Sequence, residues 1–179
     1  MERINQLVRE IIPVIIGILI ALVINNWNED RKDKKYLNQI FSSIKSELTE
    51  SSIDIKESIP RQQVLMDSIE IYVDDKTVSI IDIIEKTEGV SFANVKNNSW
   101  KAIANSRIEL IEFEKLSALS DIDDGEASLA LKQEKILDFI YDNLKNTKQE
   151  KKEVFKLLIQ DIIWTKESLQ LQIEELLED

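Results

Sequence analysis

The chain has 179 residues, a net charge of −11, and only three glycines and two prolines, so its composition favours long helices over a turn-rich β fold. It contains no cysteine and no histidine, which argues against disulfides, thiol nucleophiles, the usual general base and the usual zinc ligand. Residues 1–27 are neutral overall, so residues 28–179 carry the whole negative charge and are expected to repel nucleic acid.

The first predicted element is an apolar helix. Residues 11–24 carry no charge, and extending the segment to 7–27 gives 21 residues, close to the ~20 that span a bilayer. Arg9 and Trp27 stand near its two ends, where an arginine can snorkel and a tryptophan suits the membrane interface. We expect an uncleaved single-pass membrane anchor surrounded by lipid. A cleaved signal peptide and a buried core helix are the alternatives, because the uncharged run alone is short enough for either.

Small and polar residues recur along one face of this predicted anchor. Four of them are spaced by four positions: Pro13, Gly17, Ala21 and Asn25. Gly17 and Ala21 form a small-xxx-small pair, which lets two helix backbones approach closely, so the face is predicted to pack against another membrane helix. Positive charges flank the segment in nearly equal number, so the side of the membrane that holds the rest of the chain stays undecided.

Helical patterns continue to the end of the chain. A juxtamembrane stalk helix is predicted to end near Pro60, and it is either continuous with the anchor or broken near Glu29 and Asp30. Shorter helices are predicted over 61–73, 79–86 and 112–120, and another with Ser99 as its N-cap, with loops over 89–98 and 121–126. Two long helices, 126–144 and 151–177, close the chain.

The predicted fold class is therefore all-α. One N-terminal transmembrane helix continues into, or is joined to, a small helical bundle. The predicted domains are a membrane anchor helix (1–27), a juxtamembrane stalk helix (28–60) and an acidic helical bundle domain (61–179).

The last helix carries an apolar stripe with a heptad rhythm, formed by Phe155, Leu158, Ile162, Leu169, Ile173 and Leu176. The stripe predicts packing inside an antiparallel bundle of the same chain, and an intermolecular coiled coil is the alternative. Trp100 and Trp164 are both expected in the core, because large aromatic side chains dominate core burial.

The sequence offers no motif for catalysis or metal binding. The acidic run 121–126 resembles an EF-hand only superficially, since aligning Gly125 with the EF-hand glycine puts Ile122 at a ligand position. We therefore interpret it as a solvated turn whose acids help to start the next helix, and a loose calcium contact is the alternative. No catalytic residue, cofactor or metal site is predicted, and we do not expect an enzyme.

Two regions of the chain resemble a known family. The segments 10–12, 16–22 and 24–29 are one region, and 99–103 followed by Ser106 and 110–111 is the other. They are similar to a family of uncharacterised single-span membrane proteins, a domain of unknown function common in Bacteroidota-type bacteria. Arg107 stands where that family usually has a glycine. The resemblance implies an anchor followed by a helical domain in a bacterial inner membrane, and it implies no activity.

These patterns favour a membrane-anchored helical interaction module, an accessory or scaffold subunit without catalysis. Its partners would be membrane lipid and either another protein or further copies of itself, and not nucleic acid. The alternative is a homo-oligomeric membrane assembly, such as a pore or a stress or defence effector, packed through the anchor helix.

Overall fold

The protein is built from helices of very unequal length. The structure is a computed structural model, and it describes the backbone of residues 2–178 and the side chains of residues 11–178. The elements are α1 (Glu2–Tyr72), α2 (Ile80–Glu85), α3 (Asn98–Ala104), a 3-10 turn (Ile108–Leu110), α4 (Phe113–Asn143) and α5 (Gln149–Glu178). The described residues contain no β-strand, which confirms the predicted all-α class.

The chain divides into two compact units, Met1–Phe41 and Ser42–Asp179. In the first unit, the described side chains of residues 11–32 are all exposed. The second unit contains the remainder of α1 together with α2–α5, and it holds the buried apolar core. Both predicted domain boundaries, after residues 27 and 60, fall inside α1.

The predicted end of a helix near Pro60 is wrong, since α1 continues through Pro60 to Tyr72. Proline in a helix removes one backbone hydrogen bond, to the carbonyl four residues earlier. Here both Pro60 and Lys56 are exposed, so that carbonyl lies on the solvent side. On the opposite side of α1, Ile55 and Leu65 are fully buried, and their packing holds the helix on both sides of the proline.

The predicted acidic loop over 121–126 is also wrong, because α4 runs through it without interruption. Leu119, Ile122 and Leu129 face the core at helical spacing, while the acidic Asp121 and Asp124 are exposed. The run is thus the solvated face of an amphipathic helix.

Three long segments form the core of the second unit. Hydrogen bonds pair Ser52 with Gln170 and Ser58 with Lys166, so the C-terminal part of α1 runs antiparallel to α5. The helices α4 and α5 are also antiparallel, and the Phe139 and Phe155 rings stack between them with centroids 6.0 Å apart. The heptad stripe of α5 packs inside this bundle, with Phe155, Ile162, Leu169 and Ile173 all buried, as predicted for packing within one chain.

The two short helices begin with different caps. Ser79 caps α2 through a capping box with Asp82. The predicted N-cap at Ser99 is wrong, since α3 begins at Asn98. The Ser99 backbone N–H and hydroxyl instead donate to the Glu47 carboxylate of α1, each at 3.0 Å, which places a negative charge at the first turn of α3.

Residues 90–97, which we call the strap, have no regular secondary structure and link α2 to α3. The chain enters the strap through Gly89, whose φ of +92° is a left-handed conformation that a side chain would strain. Helix side chains then bond the backbone of the strap. Ser51 Oγ accepts from the Lys96 amide at 2.8 Å, and Gln133 Nε2 donates to the Ala93 carbonyl at 3.0 Å. The side chains thereby replace the partners that a sheet would have supplied.

Candidate functional site

The apolar segment 11–24 lies entirely within α1, and every one of its residues is exposed. Among the described residues, α1 is the one helix long and apolar enough to cross a membrane by length and composition. No residue of its most apolar 18-residue window is buried against the rest of the chain. Exposed contiguous apolar surface of this size is rare on soluble monomers and typical of a membrane or protein contact.

The predicted packing face is accessible in this structure. Pro13, Gly17, Ala21 and Asn25 all lie on α1 and are exposed. A Cβ added to Gly17 would meet no atom within 4 Å, so a second helix backbone could approach there. The Asn25 side chain donates to the Glu29 carboxylate at 3.1 Å, one turn further along α1. Trp27 is exposed. The other predicted interface anchor, Arg9, lies outside the residues whose side chains are described.

A second exposed apolar surface lies on α5, and the sequence reasoning missed it. Leu157, Trp164 and Leu171 are 68%, 62% and 61% exposed and are spaced by seven residues, so they form a stripe along one side of the helix. The prediction that Trp164 lies in the core is wrong, whereas Trp100 is buried as predicted. The heptad spacing of the exposed stripe is visible in the sequence, but the buried stripe of the same helix has a stronger signal.

The outer surface of α5 is acidic as well as apolar. Its exposed charged residues are all glutamates: Glu150, Glu153, Glu167, Glu175 and Glu178. The four lysines of this helix contact other parts of the second unit. Lys151 lies over the Phe139 ring, Lys152 bonds the end of α1, Lys156 pairs with Glu70, and Lys166 lies in the core.

An open groove between α4 and α5 borders this stripe. Trp164, Thr165 and Ser168 form its α5 wall, and Asp121, Asp124 and Ser128 form its α4 wall. At one end of the groove, Lys132 Nζ donates to Asp161 at 2.8 Å and to Thr165 Oγ1 at 2.7 Å, so its charge is compensated locally. The groove therefore extends the negative surface of α5 onto α4.

The helices α4 and α5 approach each other closely at Gly125. A Cβ added there would lie 2.8 Å from Leu169 Cδ1, closer than carbon atoms normally approach. The absence of a side chain at Gly125 thus lets α4 approach α5 beside the groove.

A buried lysine of α5 bonds two other segments of the second unit. Lys166 is fully buried, and burial lowers the pKa of its amine to about 8, while the negative charge of Asp54 acts in the opposite direction. Its amine donates to Ser58 Oγ at 2.8 Å and to the Ser91 carbonyl of the strap at 3.4 Å. An amine without solvent contact serves the packing of α5, α1 and the strap better than it serves a substrate.

Acidic side chains do not gather into a metal site. Within the described residues, no group of three or more Asp or Glu side chains could hold a metal ion. Asp121 and Asp124 contribute to the charge of the groove instead.

A family model described as a family of unknown function, DUF6090, matches residues 10–106, more than half of the chain. The chain belongs to DUF6090. This membership confirms the expected relation to an uncharacterised family. No curated protein matches the chain. No solved structure matches it either.

The DUF6090 match covers one part of the fold. It includes α1 from residue 10 onward, with the apolar segment, together with α2, the strap and α3, and it ends before α4. The acidic groove and the exposed stripe of α5 lie on elements beyond the residues that match DUF6090.

Proposed function

We propose that this DUF6090 protein is a single-pass, membrane-anchored helical interaction module, an accessory or scaffold subunit without catalysis. The observation that carries the proposal is the apolar segment 11–24, which nothing in the described chain covers. Its Ile, Leu and Val residues would together favour bilayer insertion by roughly 3–7 kcal/mol on an insertion scale. A helix over 7–27 would be ~31 Å long, matching the hydrocarbon core of a bilayer.

The second unit supports the interaction role. Its exposed surface carries the acidic groove and an apolar stripe on α5, whereas the buried amines of Lys152 and Lys166 are bonded within the fold. The absence of histidine and cysteine from the sequence is the argument against catalysis.

The membrane proposal is tested by extracting membranes with alkaline carbonate after expression of the full chain. Wild-type protein should stay in the membrane pellet. Leu19→Lys places a charge near the middle of the span, which costs ~3 kcal/mol of insertion, and should move most of the protein to the supernatant. Ile53→Lys is the matched control, because Ile53 is an exposed apolar residue of α1 within the second unit. A wild-type chain that carbonate releases, with its N-terminus intact, would contradict the anchor.

The interaction role is tested by purifying the full chain from its native membranes in mild detergent, with mass spectrometry of stoichiometric components. A second protein present at constant ratio, in purifications from several detergents, is the expected result. A pure homo-oligomer of fixed size would favour the second candidate function instead.

That second candidate is a homo-oligomeric membrane assembly packed through the face of Pro13, Gly17 and Ala21. The open space around Gly17 favours it. Gly17→Leu should then dissociate the oligomer, as measured by cross-linking in membranes, because the leucine holds the two backbones apart. Ile15→Phe enlarges a side chain about 160° away around α1 and serves as the control. An oligomer that survives Gly17→Leu would exclude this packing face.

A further inference from the structure

We propose that the outer face of α5 binds a cationic amphipathic helix of a partner protein. The outer face is the stripe of Leu157, Trp164 and Leu171, flanked by the exposed acidic residues Glu153, Glu167 and Glu175. This inference rests on the proposed interaction module and names its docking surface and the chemistry of its partner.

The geometry of the stripe suits a helix. Leu157 and Leu171 are separated by four helical turns, ~21 Å, and the intermediate Trp164 lies nearly in line with them. Apolar residues repeated every seven positions are the pattern by which a second helix packs along the first. A tryptophan at the centre of such a stripe is the residue type that most often dominates binding energy.

The charges of the face decide the sign of the partner. Each lysine of α5 is buried or contacts another element, so the exposed charges of this helix are all negative. Asp121 and Asp124 of α4 add to them across the groove. A partner helix with lysine or arginine beside its apolar stripe would meet complementary charge along its whole length.

The same charges argue against two other occupants. A second copy of the chain would bring glutamates against glutamates along the stripe, because both copies present the same acidic flanks. An anionic lipid surface would be repelled by the flanks for the same reason. A cationic helix is the occupant that uses both the apolar and the acidic part of the surface.

The test uses the full chain in phosphatidylcholine nanodiscs and two synthetic 21-residue heptad helices. Both peptides carry leucine at the a and d positions, and they differ only in having lysine or glutamate at e and g. Binding of fluorescently labelled peptide is measured by polarisation, with empty nanodiscs as the blank. The variant Trp164→Gln/Leu171→Gln removes the stripe. Ile53→Gln/Ile71→Gln is the matched control, since both residues are exposed and apolar on another helix of the same unit.

The lysine peptide should bind saturably at a 1:1 ratio, and the stripe variant should weaken binding at least tenfold while the control variant leaves it unchanged. The glutamate peptide should not bind. Equal binding of the lysine peptide to the wild type, the stripe variant and the control variant would show attraction by net charge alone and overturn the proposal. The proposal would also be overturned if the lysine peptide did not bind, or if the glutamate peptide did. A concentration-dependent dimer that the stripe variant dissociates would assign the face to a second copy, and stripe-dependent binding to anionic vesicles would assign it to lipid; either would also overturn it.

Carbonate extraction of the same variants separates this inference from the proposed function. The stripe variant should remain in the membrane pellet like the wild type. A failure of peptide binding with retained membrane association would reject the partner proposal alone, whereas release of the wild type by carbonate would reject the anchor.

Discussion

Lys166 Nζ donates to Ser58 Oγ at 2.8 Å, and this hydrogen bond joins α5 to α1 in a part of the core where both side chains are buried. The same amine reaches the Ser91 carbonyl of the strap. One lysine therefore connects three segments that are distant in the sequence. Because its partners here are a hydroxyl and a carbonyl, the positive charge is costly to bury, and that cost makes the contact testable.

The first prediction is that the free energy of unfolding rises with pH because the buried Lys166 amine loses its proton. Below about pH 8 the amine is protonated in the folded and unfolded chains alike, and the cost of burying its charge is fully present. Between about 8 and the ordinary pKa of 10.5, the folded chain has lost the proton and the unfolded chain still binds it, so the free energy of unfolding increases with pH. At ~1.4 kcal/mol per pH unit, the upper limit of this gain is roughly 3 kcal/mol.

Urea unfolding of the full chain in detergent micelles, followed by circular dichroism between pH 7 and 10.5, measures this effect. Lys166→Met is the control, because it removes the titrating group and leaves all others in place. The gain should appear as the difference between the two proteins. Parallel pH profiles would show that Lys166 does not titrate in this range in the folded state.

The second prediction is that two buried lysines respond oppositely to substitution by methionine. Lys166→Met should stabilise the fold at pH 7 by about 1–2 kcal/mol, since a buried charge is replaced by an apolar group of similar size. Ser58 Oγ still donates to the Ile55 carbonyl and the Ser91 carbonyl still accepts from Gln62, so neither loses its last partner.

Lys152→Met should instead destabilise the fold by about 1–3 kcal/mol. Lys152 is fully buried, and its amine donates to the carbonyls of Tyr72 at 2.8 Å and Asp75 at 2.6 Å, at the C-terminal end of α1. A positive charge is favourable at a helix C-terminus, and methionine supplies neither charge nor donor. Urea midpoints that shift in the same direction for both variants would refute the distinction.

The third prediction concerns the close approach of α4 and α5. Gly125→Ala gains up to ~1 kcal/mol of helix propensity but forces the new Cβ against Leu169, at a cost of about 1–3 kcal/mol. We expect a net loss of ~1 kcal/mol, seen as a lower melting temperature. Ser128→Ala is the control, because Ser128 is an exposed residue of the same helix and should be neutral or slightly stabilising. A Gly125→Ala protein more stable than the wild type would show that Leu169 moves away freely.

The fourth prediction is that the strap is protected from hydrogen exchange although it is not helical. The Lys96 amide donates to the buried Ser51 Oγ at 2.8 Å, and the Asn94 amide donates to the Asp54 carboxylate at 3.1 Å. Ser51→Ala should raise the exchange rate of the Lys96 amide at least tenfold and leave that of Asn94 nearly unchanged.

Thr49→Ala is the matched control for this experiment. Thr49 Oγ1 donates to the carbonyl four residues earlier, as Ser51 Oγ does, but Thr49 is exposed and makes that bond on the solvent side. It should not change exchange in the strap. Rapid exchange of Lys96 already in the wild type would show that the helices do not hold the strap.

Sequence reasoning predicted the helices better than their ends. It located α2, α5 and the irregular segment before α3 because these follow from apolar periodicity and capping residues. It ended helices at Pro60 and at the acidic run before Gly125, where local preference does favour a break. In the folded chain, burial of neighbouring apolar residues outweighs that preference at both places.

One of the two proposed functional surfaces could be predicted from the sequence, and the other could not. The apolar segment 11–24 was visible in the sequence, because an uninterrupted uncharged run needs no partner to be recognised. The outer face of α5 was not, because Trp164 was assigned to the core on residue type alone. Which of two apolar stripes on one helix faces inward depends on where α1 and α4 pack.

The sequence by itself determined the helical class, the apolar N-terminal segment and the acidic balance, since each follows from composition or from periodicity within a few turns. Tertiary structure decided which polar groups are buried. Ser58 and Lys166 are 108 positions apart in the sequence. The backbone of the strap is hydrogen-bonded by side chains of α1, α4 and α5. Burying such a polar group costs less free energy where another segment supplies a hydrogen bond, and that segment reaches the group only when the chain has folded.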